Sequence, residues 1–490
     1  MLTTLVVLLI INTTVAVITV FREPRDIAAT WAWILVLILI PVLGFIIYSF
    51  AGRKLSQRRL FAYQGQDTSA MNEKIADLIQ EADERGKREG LVTRVNETQA
   101  SLVQARSLVT LFQNINQTSL ATKNQVKVFT SGVDFFGRLK DDLKQAQESI
   151  NLEFYTFYSD QLGHEIRDIL VERAQAGVEV HVIYDALGSF GTTKRFFAPL
   201  RDAGGHATPF LKRRLTLVDF QLNFRDHRKI VVIDGQIGYV GGFNIGDQYL
   251  GRDKKFGHWR DTHLRMTGSG VYSLQAHFLL DWNASEPKRP MAVTSDRYFP
   301  PLQLALQGKS NLQIVTSGPE TDDEQIKMGY IRLIQLAKKR CWIQTPYLIP
   351  DDSTFDALRI AANSGVDVRI MVPCMPDHAF VYRATQYYAA QLAKYGIKIY
   401  YYQNGFLHAK TMVVDDHLAS VGSANLDFRS FKLNFEVNAF LYDSDLAHHL
   451  AHVFKQDLTV SSEQTVTSFA QQGRWLVFKQ YVARLLAPIL

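Results

Sequence analysis

His227 and Lys229 stand two residues apart with Asp234 five further on, and His408, Lys410 and Asp415 repeat those offsets 181 residues later. Each set closes on small residues and an amide: Gly241, Gly242 and Asn244, then Gly422, Ser423 and Asn425. Two such copies facing one another would gather two imidazoles and two ammonium groups around one point, a set that suits the chemistry of a phosphodiester. One imidazole attacks phosphorus while the other, protonated, gives its proton to the departing alcohol. The lysines and the Asn244 and Asn425 amides hold non-bridging oxygens and stabilise the charge gained in the transition state. An imidazole pKa of about 6.5 lets both protonation forms coexist near neutrality, and two neighbouring imidazoles titrate as a pair.

A nucleophilic imidazole needs its second nitrogen held by an acceptor. Downstream of the two copies lie Asp261, in WRDTHL, and Glu436, in NFEVNAF, each in an alternating segment; these carboxylates are expected to orient the two histidines. Asp234 and Asp415 have two readings. Asp234-Gly235 and Asp415-Asp416 sit between apolar runs where a two-residue hairpin turn belongs, and turn geometry explains them as well as catalysis does. The glycines fit either tight packing or close approach to a phosphate. A metal site is the competing chemistry. A lysine two residues after each histidine would repel a divalent cation, and no carboxylate or cysteine cluster has ligand spacing, so a metal-independent reaction without cofactor is expected.

The elements that must position these groups are themselves repeated. VKVFTSG (126–132) matches LQIVTSG (312–318), INLEFYTFYSD (150–160) matches WIQTPYLIPD (342–351), and GVEVHVIYD (177–185) matches GVDVRIMVP (365–373). Strands alternating with helical stretches in both halves predict α/β architecture with a parallel or mixed sheet, and two domains related by a pseudo-twofold. Within a strand, residues i and i+2 share a face, so each His-Lys pair should project together.

With 490 residues the chain exceeds one compact core. Residues 1–21 and 27–52 carry no charged side chain, separated only by Arg22-Glu23-Pro24-Arg25-Asp26. Each is long enough to cross a hydrocarbon core of about 30 Å, so a helical hairpin is expected; a re-entrant hairpin or a cleaved signal peptide are the alternatives. Arg53, Lys54, Arg58 and Arg59 follow the second segment, which places the body in the cytoplasm. Two cysteines, Cys341 and Cys374, form no disulfide framework. A net charge of +6 favours an anionic partner. The segment 474–490, with Arg474, Lys479 and Arg484 among aromatics and leucines, reads equally as a docked helix or a membrane-surface helix.

The twice-written H-x-K-x4-D-x6-G-[GS]-x-N pattern resembles the signature of the phospholipase D superfamily. With EFYTF at 153–157, WRDTHLRMTG at 259–268, QTPYLIPD at 344–351 and the apolar hairpin, the chain is similar more narrowly to bacterial cardiolipin synthases. That resemblance implies two phospholipase D-like domains sharing one active site. It also implies transfer of a phosphatidyl group between two phosphatidylglycerol molecules, giving cardiolipin and glycerol through a phosphatidyl-histidine. His227, Lys229, Asp234, His408, Lys410 and Asp415 are then the active-site residues, with His227 as nucleophile and His408 as acid and base, although pseudo-symmetry makes both histidines eligible. The expected organisation is a transmembrane hairpin over 1–52, a polar linker with helices over 53–122, domains over 123–305 and 306–445, and a helical segment over 446–490. The expected partners are phosphatidylglycerol and an anionic bilayer, with no nucleic acid. Hydrolytic phospholipase D, another transphosphatidylase, a membrane-tethered nuclease and a binding scaffold are the rivals. The apolar hairpin favours lipid over nucleic acid, and a scaffold has no use for both His-Lys pairs.

Overall fold

Two buried sheets carry the histidines, and the chain passes between them twice. The computed structural model describes residues 68–88, 95–211, 224–303, 308–321 and 323–486, with 27–40 and isolated positions between 14 and 48. The first half forms β1 (Ala121–Ser131), β2 (Ser149–Phe154), β3 (Glu179–Tyr184), β4 (His206–Pro209), β5 (Arg225–Asp226), β6 (Lys229–Ile233), β7 (Ile237–Gly241) and β8 (Trp259–Thr267). Its sheet has the order β4-β3-β2-β6-β7-β8-β1, parallel through β4, β3 and β2 and antiparallel beyond.

The second half repeats this plan. It comprises β9 (Ser310–Ser317), β10 (Arg340–Gln344), β11 (Leu348–Ile349), β12 (Asp367–Pro373), β13 (Lys398–Tyr402), β14 (Phe406–Leu407), β15 (Thr411–Val414), β16 (Leu418–Gly422), β17 (Leu426–Asp427), β18 (Asn434–Tyr442) and β19 (Ser461–Gln464). The order is β19-β13-β12-β10-β15-β16-β18-β9, and β9 pairs with β1, joining the two sheets. The architecture is therefore mixed α/β in two similar halves. The three matched sequence pairs fall on β1 and β9, β2 and β10, and β3 and β12.

Continuous apolar runs such as VHVIY in β3 and IVVI in β6 are buried along their length, as strands covered on both faces require. Outer faces are covered by each half's own helices. Phe135, Leu139, Ile166 and Leu170 close the first sheet, and Tyr330, Leu333, Leu358 and Leu392 close the second. Inner faces meet around helices Gly270–Ser285 and Ser444–Leu458, where Phe278, Trp282, Leu450 and Phe454 pack against Ile230, Val240, Val413 and Val437. A matched aspartate starts a helix in each half. Asp160 accepts from the Gly163 N–H at 3.0 Å and Asp351 from the Thr354 N–H at 3.0 Å, each satisfying one open helix-end donor.

Two expectations change in the fold. The stretch read as a linker includes helices Thr68–Arg88 and Val95–Asn116, and both dock on the body: Met71 and Ile75 enter the central core, and Ala105, Leu108 and Phe112 enter that of the second half. The second half continues past residue 445, because Ser444–Leu458 fills the central core and β19 adds to the sheet edge. At the N-terminus the described helix is Ile27–Leu39, of 13 residues, and among the described residues no helix is long and apolar enough to cross a membrane. The rest of the two expected spans lies outside the described residues. Helix Arg474–Leu486 docks on helix Ala379–Ala393, with Ala483 packed against Ala384 and Ile349.

Candidate active site

His227 does not sit within one strand, as the i, i+2 argument expected. It lies in a break between β5, which pairs with β18 of the other half, and β6, which pairs with β2 of its own. His408 occupies the matching break between β14, paired with β8, and β15, paired with β10. Each motif histidine therefore stands where the chain changes sheets.

Register then dictates its partner. In the parallel pair β5–β18, Asp226 is opposite Phe435, so the next residues, His227 and Glu436, come together. In β14–β8, Leu407 is opposite Arg260, which brings His408 to Asp261. His227 Nδ1 lies 2.9 Å from both Glu436 oxygens, and His408 Nδ1 lies 2.6 Å from Asp261 Oδ2. Each carboxylate bonds a histidine of the opposite half: the first half's histidine is held by the second half's carboxylate, and the reverse.

The supports of the two carboxylates differ. Glu436 also accepts from Ser423 Oγ and from Asn434 Nδ2 at 3.1 Å. Asp261 accepts from the Thr262 N–H at 2.7 Å. This explains Gly242 against Ser423 in the duplicated motif. A Cβ on Gly242 would lie 1.9 Å from Asp261 Oδ1, whereas the second copy uses its serine as a donor. Gly241 and Gly422 are likewise crowded by protein, at His263 and Asn438, so tight packing accounts for all three glycines.

Lys229 and Lys410 are buried beside the histidines. Lys229 Nζ donates to the His227 carbonyl at 2.6 Å and lies 5.4 Å from the Tyr155 ring centroid. Lys410 Nζ donates to the His408 carbonyl and approaches His408 Nδ1 at 2.8 Å. With Asp261 closer and ionised, the proton on Nδ1 belongs to the Asp261 bond, and Lys410 acts there as a neighbouring charge. Tyr155 packs edge-on to His227 at 5.0 Å, and Trp259 packs against His408 at 5.2 Å.

Burial sets the charge state. It is the largest influence on both imidazoles and pulls each down to about 4, with the lysines adding to the shift. Burial likewise lowers Lys229 to about 7 and Lys410 to about 8. Burial alone would raise the two carboxyls. Lys410 and His408 beside Asp261, and His227 and Lys229 beside Glu436, more than offset it and hold both below their ordinary range. Coexisting imidazole and imidazolium at neutrality, expected from an unperturbed value, thus gives way to two neutral imidazoles. A bound phosphodiester anion shifts all four bases upward again.

His227 and His408 open on one cavity of about 700 Å³, which Asn244 and Asn425 also line. The amides are partly committed: Asn244 Oδ1 accepts from the Thr156 N–H at 3.1 Å and its Nδ2 donates to the Tyr249 hydroxyl, while Asn425 Nδ2 donates to Asp427. Asp234 and Asp415 do not join the cavity. They occupy the turns at the far ends of β6 and β15, with φ of 53° and 50°. Asp234 accepts from the backbone N–H groups of Gln147, Glu148 and Ser149 at 2.8–3.2 Å. Asp415 accepts from those of Lys338, Lys339 and Arg340 at 2.8–3.0 Å. Each aspartate ties the entry of the central parallel strand to its hairpin, which is the turn reading of these residues.

Two buried arginines lie outside the fixed positions of the repeated signature. Arg228 Nη1 donates to Asp281 at 2.6 Å and its Nε to the Glu436 carbonyl at 3.2 Å; Arg260 Nε donates to Asp457 at 3.0 Å. Each bonds across the halves and fixes a residue next to the cavity. Their signal was adjacency, Arg228 to His227 and Arg260 to Asp261, but an arginine beside a motif is more often solvated.

Comparison with known proteins supports this reading. The family described as "Cardiolipin synthase, PLD-like domain" matches residues 139–257 and 330–458, and "Phospholipase_D-nuclease N-terminal" matches residues 10–53. The chain is 46% identical to a cardiolipin synthase of Listeria innocua over 489 residues, covering 99% of this chain and 98% of that one. It is 45% identical to the major cardiolipin synthase of Bacillus subtilis, covering 98% of each. The fold resembles phosphatidylserine synthase of Haemophilus influenzae with a TM-score of 0.60 at 17% identity, over 78% of this chain and 99% of that one. Similarity running nearly end to end, through both histidine-bearing halves, shows that the chain belongs to the cardiolipin synthase family of the phospholipase D superfamily.

Proposed function

We propose that the protein is a phosphatidyltransferase that makes cardiolipin and glycerol from two molecules of phosphatidylglycerol. What carries this reading is the crossed pairing of His227 with Glu436 and His408 with Asp261 around one cavity, in a chain related along its length to cardiolipin synthases. With Nδ1 committed to a carboxylate, Nε2 is the nitrogen each imidazole offers to substrate.

His227 Nε2 attacks phosphorus, and the bond from phosphorus to the glycerol headgroup oxygen breaks. That oxygen takes a proton from His408, which phosphate binding has recharged, and glycerol leaves. A hydroxyl of a second phosphatidylglycerol then gives its proton to His408 and attacks the phosphatidyl-histidine; the P–N bond breaks and cardiolipin forms. Lys229 and Lys410 offset the charge on the non-bridging oxygens in both steps. Assignment of the nucleophile to His227 follows the superfamily pattern, and Asn244 and Asn425 complete the phosphate cradle from their remaining amide hydrogens. The N-terminal apolar segments span the membrane as a hairpin and leave the body on the cytoplasmic side, a reading supported by their uncharged lengths and the basic residues that follow.

The test is to incubate the membrane-embedded protein with phosphatidylglycerol and a chelator and to identify the products. Cardiolipin with released glycerol is expected. Phosphatidic acid alone would make the protein a hydrolase, and activity that returns only with added metal would overturn the metal-free chemistry.

A further inference from the structure

Helix Arg474–Leu486 is docked the wrong way round for a helix that faces water. Its inward side buries Gln480 and Ala483, while Trp475, Phe478, Tyr481 and Leu485 are 50–75% exposed. At spacings of three and four these residues form one outward stripe. Phe380, 56% exposed, stands on the helix it docks against, between His378 and Val381, which line the active-site cavity. Across the mouth, on the loop after β3 in the first half, Phe190 is 83% exposed three residues beyond Leu187, another lining residue.

We propose that Phe190, Phe380 and the outward stripe of the last helix form one surface that seats the cavity mouth on an anionic lipid bilayer. The proposal rests on the transferase reading for its biological sense, but its geometry stands apart from it. Charge argues for the bilayer over water or a neutral protein face. The stretch from Ala186 through helix Ala198–Asp202 carries Lys194, Arg195 and Arg201 against Asp202, and the segment 474–490 carries Arg474, Lys479 and Arg484 and no acid. Aromatics beside six cations, against Asp377 at the mouth and Asp202 after Arg201, match an anionic headgroup layer over an apolar interior. Ile349 lines the cavity and packs on Ala483, so the helix sits one layer from the site it would hold against the lipid. A phosphodiester entering from that side need not leave the headgroup plane.

The experiment uses the full chain reconstituted in phosphatidylglycerol vesicles, with Phe190→Cys, Phe380→Cys and Phe478→Cys each spin-labelled in a Cys374→Ser background. Glu148→Cys, beside the Asp234 turn at the other end of the first sheet, is the control. Labels at the three aromatic positions should be more accessible to oxygen than to a soluble nickel chelate, and the Glu148 label the reverse. Chelate-favoured accessibility at the aromatic positions overturns the proposal. So does label–label broadening that grows with protein-to-lipid ratio, which would assign the face to a second copy of the chain. In parallel, Phe190→Asp with Phe380→Asp should slow turnover of bilayer phosphatidylglycerol roughly tenfold and leave that of a soluble short-chain phosphatidylglycerol unchanged. Equal loss on both substrates overturns the proposal. An unsubstituted protein that makes cardiolipin from neither lipid sinks the transferase reading instead, and the label measurements still decide the surface.

Discussion

Replacing Glu436 by Gln tests the crossed site most directly. Glu436 is fully buried, holds Nδ1 of His227 with two contacts of 2.9 Å, and is itself held by Ser423 and Asn434. Glutamine keeps the volume and one acceptor but loses the charge that fixes the imidazole tautomer and stabilises the cationic phospho-imidazole. Losses at comparable carboxylate–histidine pairs are roughly 10²- to 10⁴-fold in kcat, or about 3–5 kcal/mol of transition-state stabilisation. KM should move little, because the phosphate ligands remain. The discriminating assay varies the leaving group. Glu436 belongs to the second half, as His408 does, yet holds the first half's histidine, so Glu436→Gln should behave as a nucleophile defect. A phosphodiester with a nitrophenol leaving group, which needs no proton, should not restore its first step. Asp261→Asn, acting on His408, should regain its burst of nitrophenol on that substrate and stay slow in turnover. The opposite pattern would make His408 the nucleophile. A loss below tenfold for Glu436→Gln would refute the orienting role altogether.

Gly242→Ser should lower kcat as Asp261→Asn does in a folded protein, since its Cβ would lie 1.9 Å from Asp261 Oδ1; Ser423→Gly should cost only about tenfold, one hydrogen bond to Glu436 being lost. Asp234→Ala and Asp415→Ala should each lower stability by about 2–4 kcal/mol in denaturant melts, through three lost backbone contacts to a carboxylate, with kcat per folded molecule intact. Loss of kcat at an unchanged melting midpoint would return these aspartates to the chemistry. The pH profile of kcat/KM should fall on the alkaline side as Lys229 and Lys410, lowered to about 7 and 8, lose the charge that receives phosphate. Because Glu436 raises the Lys229 value, Glu436→Gln should move that limb to lower pH; a profile flat between those values and the ordinary lysine range would show that the lysines stay charged.

Much of the site was legible because it is written twice. Two His-Lys pairs at fixed spacing mark the candidate reacting groups, and the matched apolar runs identify the strands that flank them. Asp261 and Glu436 could be picked out as orienting carboxylates by their position after each motif. The turn aspartates were legible as turn residues, though not as clamps on the strand entries, since their partners at 147–149 and 338–340 carry no side-chain signature. Backbone donors leave no mark in a sequence.

The amino-acid order alone determined the candidate reacting side chains, the mixed α/β class and the duplication, because these depend on residue type and local period. Tertiary structure alone decided who holds whom. The pairing of His227 with Glu436 spans 209 positions and that of His408 with Asp261 spans 147, and both follow from the register of two-residue parallel pairings that no local pattern encodes. It also decided the protonation state, because desolvation depends on how completely the two halves close over the imidazoles and lysines, a property of packing and not of spacing.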